Sequence, residues 1–88
     1  MHTVGVVIGE GCVIEDGVVI YSGVCLGRKN INMDEYPVIE KNTVLCTGSI
    51  VLGNIIVGEN CTIGANSLVL KDCLPNGIYV GCPAKRIN

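Results

Sequence analysis

Six cysteines and a single histidine are the obvious chemical resource of this 88-residue chain. Thiolates bind zinc or form disulfides, but either use needs partners at suitable spacing. Cys12, Cys25, Cys46, Cys61, Cys73 and Cys82 contain no Cys-x-x-Cys pair, and His2 alone does little to complete a zinc site. No metal is therefore expected, and the thiols are read as reduced and structural or incidental. The second resource is the polar run GRKNINMDEYP, from Gly27 to Pro37. Arg28 and Lys29 suit phosphate oxygens, and Asp34, Glu35 and Tyr36 suit a polar acceptor molecule.

What must position these groups is a six-residue beat. Aliphatic residues recur at Ile8, Ile14, Ile20 and Leu26, then at Ile39, Leu45, Val51, Val57, Ile63 and Val69. Two residues before them stand mostly small or β-branched side chains: Val6, Cys12, Val18, Val24, Thr43, Ser49, Ile55, Cys61 and Ser67. Gly often follows, at Gly9, Gly27, Gly58 and Gly64. A period of six fits neither a helix nor a simple strand. It means short strands and tight turns at fixed spacing, as in a solenoid whose triangular coils each take three units. The aliphatic residue is expected to fill the prism, its small partner to leave room at the corner, and the following Gly to accept the positive φ that some corners need. The ten aliphatic positions amount to a little over three coils of parallel strands.

The beat breaks between Leu26 and Ile39, and the expected organisation is one domain: coils over 1–70 with an inserted loop at 27–38, and a cap over 71–88. A loop that interrupts so regular a scaffold is a good place for function. The closing segment LKDCLPNGIYVGCPAKRIN is rich in turn residues and is read as the cover for the open end. Hydrophobic residues make up 49% of the chain and aromatics only 3%, which suits a narrow aliphatic prism. A net charge of −2 gives no reason to expect nucleic acid or an anionic membrane. With no run long enough for a membrane span and no signal peptide, the expected location is cytoplasmic.

Particular strings go further. From Ile39 onward the chain resembles the hexapeptide-repeat acyltransferases. It carries Ile63-Gly64-Ala65-Asn66-Ser67, then Lys71-Asp72, a Pro-containing turn, and Gly81-Cys82-Pro83-Ala84-Lys85. The opening HTVGVVIGEGCVIEDGVVIYSGVCLG and the later LCTGSIVLGNIIVGENCTIGANSLVL are similar to the C-terminal catalytic β-helix of serine acetyltransferase. The resemblance implies an all-β fold, a short left-handed parallel β-helix, assembled as a homotrimer with acetyl-CoA as co-substrate.

By the same resemblance, His2 falls on the family's catalytic base. A neutral imidazole is well matched near pH 7 to removing a proton from an attacking alcohol. Thr47 and Ala65 match positions that contact acetyl-CoA, Leu70 and Lys71 lie near its distal end, and Lys85 meets its phosphates. Arg86 is a neighbouring candidate, and Gly27 and Arg28 open the loop on the coenzyme side. The family places an Asp on the coil before its base, a part that Asp34 or Glu35 would have to play here, across a subunit boundary if need be. Tyr36 stands where the family has a second His, so the hydroxyl acceptor is serine-like or a sugar. Two other readings stay open: a catalytically silent β-helix or oligomerisation module, and an N-acetyltransferase acting on an amino sugar.

Overall fold

The computed structural model describes residues 5–30 and 35–88. Among these residues there are twelve short strands and no helix. The first coil is β1 (Val7–Ile8), β2 (Val13–Ile14) and β3 (Val19–Ile20); the second is β4 (Cys25–Gly27), β5 (Val38–Ile39) and β6 (Val44–Leu45). The third is β7 (Ile50–Leu52), β8 (Ile56–Val57) and β9 (Thr62–Ile63). A fourth, irregular coil holds β10 (Leu68–Val69), a single bridging residue Cys73, and β11 (Ile78–Gly81). β12 (Ala84–Arg86) then turns back antiparallel onto β11.

Like strands stack in parallel, in the orders β1-β4-β7-β10, β2-β5-β8 and β3-β6-β9-β11, giving the prism three faces. Register decides what meets what. Ile8, Leu26, Val51 and Val69 form one inward column. Ile14, Ile39, Val57 and Cys73 form the second, and Ile20, Leu45, Ile63 and Tyr79 the third. Leu26, Ile39, Leu45, Val51, Val57 and Ile63 have no exposed surface at all. Each such side chain contributes about 1.5–3 kcal/mol by leaving water. The small slots are buried as expected, with Val24, Thr43, Ser49, Cys61 and Ser67 inside and Pro37 taking the slot before Ile39. Thr43 Oγ1 donates to the Gly58 carbonyl at 3.0 Å, and Ser67 Oγ accepts the Gly81 N–H at 3.0 Å.

Val51 pairs with Val69, 18 residues on, whereas Leu26 pairs with Val51, 25 residues on. The insertion therefore adds seven residues to one coil without shifting any column. In the last coil the offset falls to 16, from Ile63 to Tyr79. The closing segment is thus more than a cover. Cys73 and Tyr79 occupy inward slots that the six-residue beat did not mark, because two residues are missing from the spacing that would reveal them.

Two expectations are corrected. Among the described residues Ile8 and Ile14 are not closed over: they are 42% and 36% exposed, and the pairing partners of their strands all come from the second coil. Nor do Gly9, Gly27, Gly58 or Gly64 adopt positive φ. That conformation falls three residues before the inward aliphatic, at Gly17, Gly23, Asn42, Gly48, Asn60 and Asn66. Gly and Asn tolerate it best. These corner residues also form ladders, as when Gly48 N–H donates to the Ser22 carbonyl and Asn66 N–H to the Thr47 carbonyl.

At Gly48, φ is +73° and an added Cβ would collide with the Asn66 side chain one coil down. Gly48→Ala is expected to lose about 2 kcal/mol in denaturant unfolding. Gly27→Ala meets only Leu52 Cδ2 at 3.9 Å and is expected to stay within about 0.5 kcal/mol of the parent.

Candidate functional site

The prism has three corners of different character. The corner between the second and third faces carries Glu15, Asp16, Glu40 and Glu59 around one cation, Lys41, which lies 3.5 Å from Glu59. The corner between the third and first faces carries no charge on the three described coils it crosses: Tyr21-Ser22-Gly23, Cys46-Thr47-Gly48 and Gly64-Ala65-Asn66. The remaining corner holds Arg28, Lys29 and Lys71 together with Glu10, Glu35 and Asp72, and Lys85 and Arg86 lie on β12.

The uncharged corner leads somewhere. The pairing of β7 with β10 sets Ala65 below Thr47, and that of β9 with β11 sets Gly81 below Ala65. All three are small and exposed, so an extended ligand could lie close to the backbone along this column. Past Gly81 the chain enters an open groove of about 410 Å3 at the last coil. Val69, Leu70, Tyr79, Pro83 and Ala84 give it an apolar floor, and Lys71, Asp72 and Lys85 give it charge. Hydrogen bonds stiffen this end. Leu74 N–H donates to the Tyr79 hydroxyl at 2.9 Å, Asp72 Oδ1 accepts the Ile56 N–H at 2.8 Å, and Asn88 ties the tail to Asn76 and Ile78.

Of the residues singled out from sequence, Leu70, Lys71 and Lys85 meet in this groove, and Thr47 and Ala65 form the column above it. Arg86 is not part of the groove lining; its Nε donates to Asn88 Oδ1 at 3.1 Å. Gly27 pairs with Leu52 at the end of β4, with Arg28 next to it on another corner. Glu35 and Tyr36 belong to that corner as well. Glu35 accepts a hydrogen bond from Asn54 Nδ2 at 2.7 Å, and the Tyr36 ring lies against Gly9 and Gly11. His2 and Asp34 lie outside the described residues. One chain thus gathers Leu70, Lys71 and Lys85 in the groove, with Thr47 and Ala65 on the column, while Gly27, Arg28, Glu35, Tyr36 and Arg86 stand outside both. Sequence reasoning passed over Tyr79, Pro83 and Ala84, although the Gly-x-Pro-Ala-Lys string already marked two of them.

The thiols of the core are poorly suited to act as nucleophiles. Burial pushes Cys12 and Cys61 above the ordinary thiol value of 9.0. Cys73 is pushed up to about 12, first by burial and then by the nearby Cys61 and Asp72. Among the described residues no group of three or more His, Cys, Asp or Glu could hold a metal ion. No helix among them is long and apolar enough to cross a membrane.

A solenoid of stacked parallel coils with an open groove at its last coil defines a class, and comparison with known proteins supplies the family. Residues 36–71 match the bacterial transferase hexapeptide model (six repeats), and residues 3–22 match the hexapeptide repeat of succinyl-transferase. The serine acetyltransferase of Buchnera aphidicola subsp. Schizaphis graminum is 44% identical over 88 residues, which is 98% of this chain and 34% of that protein. The serine acetyltransferase of Brucella abortus strain S19, solved in complex with coenzyme A, superposes with a TM-score of 0.88 at 40% identity, covering 92% of this chain and 33% of that one. The Neisseria gonorrhoeae enzyme, solved in complex with serine, gives 0.89 at 36% identity, covering 96% and 34%. The chain belongs to the hexapeptide-repeat acyltransferases, and its coil is the left-handed parallel β-helix. It spans about a third of the length of the relatives it matches.

The thiols give a direct check. Cys82 is exposed, whereas Cys61 and Cys73 are buried. Iodoacetamide at pH 8 is expected to label Cys82 first and to reach Cys61 and Cys73 only after unfolding, as read by peptide mass. Because the folded Cys73 ionises later than an unfolded thiol, its contribution to stability is complete below about pH 9 and declines as pH rises towards about 12. Cys73→Ser is expected to flatten that alkaline decline in thermal unfolding.

Proposed function

We propose that this chain is the coenzyme-binding β-helix of an acetyl-CoA-dependent O-acetyltransferase acting on a small hydroxyl acceptor, serine-like or a sugar. The observation that carries the reading is the small-residue column Thr47–Ala65–Gly81 together with a groove at the last coil edged by Lys71 and Lys85. A long flexible arm needs the first, an apolar ring needs the floor, and phosphates need the ammonium groups. The likeness to an enzyme solved with coenzyme A supports the same assignment.

In this reaction the acceptor hydroxyl attacks the thioester carbonyl, and His2 takes its proton as the new C–O bond forms. Backbone N–H groups stabilise the oxyanion. Collapse breaks the C–S bond, and the coenzyme leaves as its thiol after taking up a proton. No enzyme thiol need carry the acetyl group, which agrees with the raised Cys61 and Cys73. Acetyl-CoA is a co-substrate here, with no metal required.

The working unit is a homotrimer. Two apolar faces flank the uncharged corner, one presenting Val7, Ile50 and Leu68 outward, the other Val19, Val44 and Ile78. Such a wedge favours association, since charge is depleted where an interface is dry. A neighbouring chain can then bring its Glu35 and Tyr36 corner to the groove, which one chain alone does not do. The acceptor end would thus be completed between subunits.

The test is transfer from acetyl-CoA to L-serine and to a panel of sugars, followed by thiol release. Lys85→Ala is expected to raise the KM for acetyl-CoA by about tenfold, corresponding to the loss of one charge-assisted phosphate contact. His2→Ala is expected to lower kcat by at least about 100-fold with coenzyme binding retained. A protein that is trimeric and binds the coenzyme, yet transfers acetyl to none of these acceptors, contradicts the catalytic part of the proposal.

A further inference from the structure

Strands β2, β5 and β8, the second face of the prism, take no part in the small-residue column or in the two faces assigned to the trimer wedge. That face is apolar all the same. Register stacks Val13 on Val38 and Val38 on Ile56. All three point away from the prism, because Ile14, Ile39 and Val57 beside them point in. Val13 and Ile56 are exposed and Val38 is half-buried. Leu74, which follows the bridging Cys73 and is also exposed, carries the strip to the last coil. Aliphatic side chains gathered into one strip mark a contact surface, whereas single scattered ones do not.

The strip has two unlike sides. On one, Glu15 stacks on Glu40: the Glu15 N–H donates to the Ile39 carbonyl and the Glu40 N–H to the Val57 carbonyl. Asp16 and Glu59 stand one residue further round. Among the described residues Lys41 is the one cation on this side, and it lies 3.5 Å from Glu59. On the other side stand Gly11, Tyr36 and Asn54. Beyond them Arg28, Lys29 and Lys71 balance Glu10, Glu35 and Asp72. An aliphatic strip thus lies beside one edge of net negative charge and one of none.

We infer that the second face docks an amphipathic helix of a partner protein, one whose aliphatic stripe is flanked by Lys or Arg. The spacing suits a helix. Coils stack about 4.8 Å apart and a helix advances about 5.4 Å per turn, so a helix along the prism axis sets roughly one turn against each coil. Its apolar stripe meets Val13, Val38 and Ile56 in succession, and basic residues one step round meet Glu15 and Glu40. The acidic edge repels nucleic acid and anionic lipid. A second copy of this chain is a poorer occupant. In the homotrimer proposed above, on which this step rests, the second faces point outward. Pairing them would join trimer to trimer without closing, and such contacts run on into open arrays.

The probe is a fluorescein-labelled synthetic helix of about 14 residues, roughly four turns. It carries Leu on one stripe, Lys beside it and Ala elsewhere; its control has Glu in place of Lys. Fluorescence anisotropy is expected to show saturable binding of the Lys peptide at one site per chain of the parent, and none of the Glu peptide. Ile56→Asp is expected to weaken that binding by about tenfold or more. Attraction to charge alone would instead tighten it, because the variant is more acidic. Joint Glu15→Lys and Glu40→Lys substitution is expected to pass the preference to the Glu peptide. The inference is overturned if the Lys peptide does not bind, if Ile56→Asp binds it as tightly as the parent or more so, or if the double substitution leaves the preference unchanged. If Ile56→Asp does not fold, Val13→Asp tests the same strip. Light scattering reads the competing occupant: a parent that grows beyond a trimer, and is stopped by Ile56→Asp, makes this face a contact between copies and overturns the partner helix. A parent that is not trimeric sinks the assembly reading, while the peptide titration still decides the docking.

Discussion

Everything in this protein depends on parallel pairing of backbones from coil to coil. Each strand is only a few residues long, and an isolated strand of that length has no stability of its own. Stacked in register, the same strands place Leu26 above Val51 above Val69, and an aliphatic column closes. A slip of one residue would turn the whole column outward, so the buried face enforces the register. The positive-φ corners belong to the same constraint. Gly or Asn must recur there because the next coil passes within hydrogen-bonding distance, as from Asn66 N–H to the Thr47 carbonyl at 2.9 Å.

The site is a by-product of that stacking. A regular solenoid puts chemically equal positions in columns, so a corner built from small residues becomes a track along the axis. Thr47, Ala65 and Gly81 make such a track. The irregular fourth coil then breaks the prism open at Val69 and Tyr79, and β12 folds back to wall off a groove with Lys85 at its rim. Two departures from regularity thus do different jobs. The insertion before Ile39 supplies Glu35 and Tyr36, and the shortened last coil supplies the groove. Neither disturbs a core column, because the seven extra residues and the two missing ones are taken up at corners.

Much of this was legible in the sequence because the period reports directly on burial. Eight of the ten aliphatic positions are inside, from Ile20 to Val69, and the polar small slots Thr43, Ser49 and Ser67 are inside with them. Ile8 and Ile14 carry the same signal but stay 42% and 36% exposed among the described residues, a difference that the period itself does not register. The glycines were misread for a physical reason. Gly58 and Gly64 are needed for close approach, with Pro75 N at 2.7 Å and Val80 Cγ1 at 2.7 Å from a built Cβ, and not for dihedral freedom. Cys73 and Tyr79 escaped notice because their spacing follows the shortened coil. The coenzyme candidates Leu70, Lys71 and Lys85 were found through family resemblance, and the groove brings them together. Arg86 is bonded instead to Asn88 in the tail.

The central claim is that the small-residue corner and the groove below it hold coenzyme A. Calorimetric titration of coenzyme A into the purified chain, alongside Ala65→Trp, tests it directly. Ala65 is exposed, so a bulky side chain there blocks the track without entering the core. The account predicts saturable binding at one site per chain, lost in Ala65→Trp while the thermal midpoint stays within a few degrees of the parent. Binding that survives in Ala65→Trp, or no binding by the parent chain at about millimolar coenzyme, would contradict it.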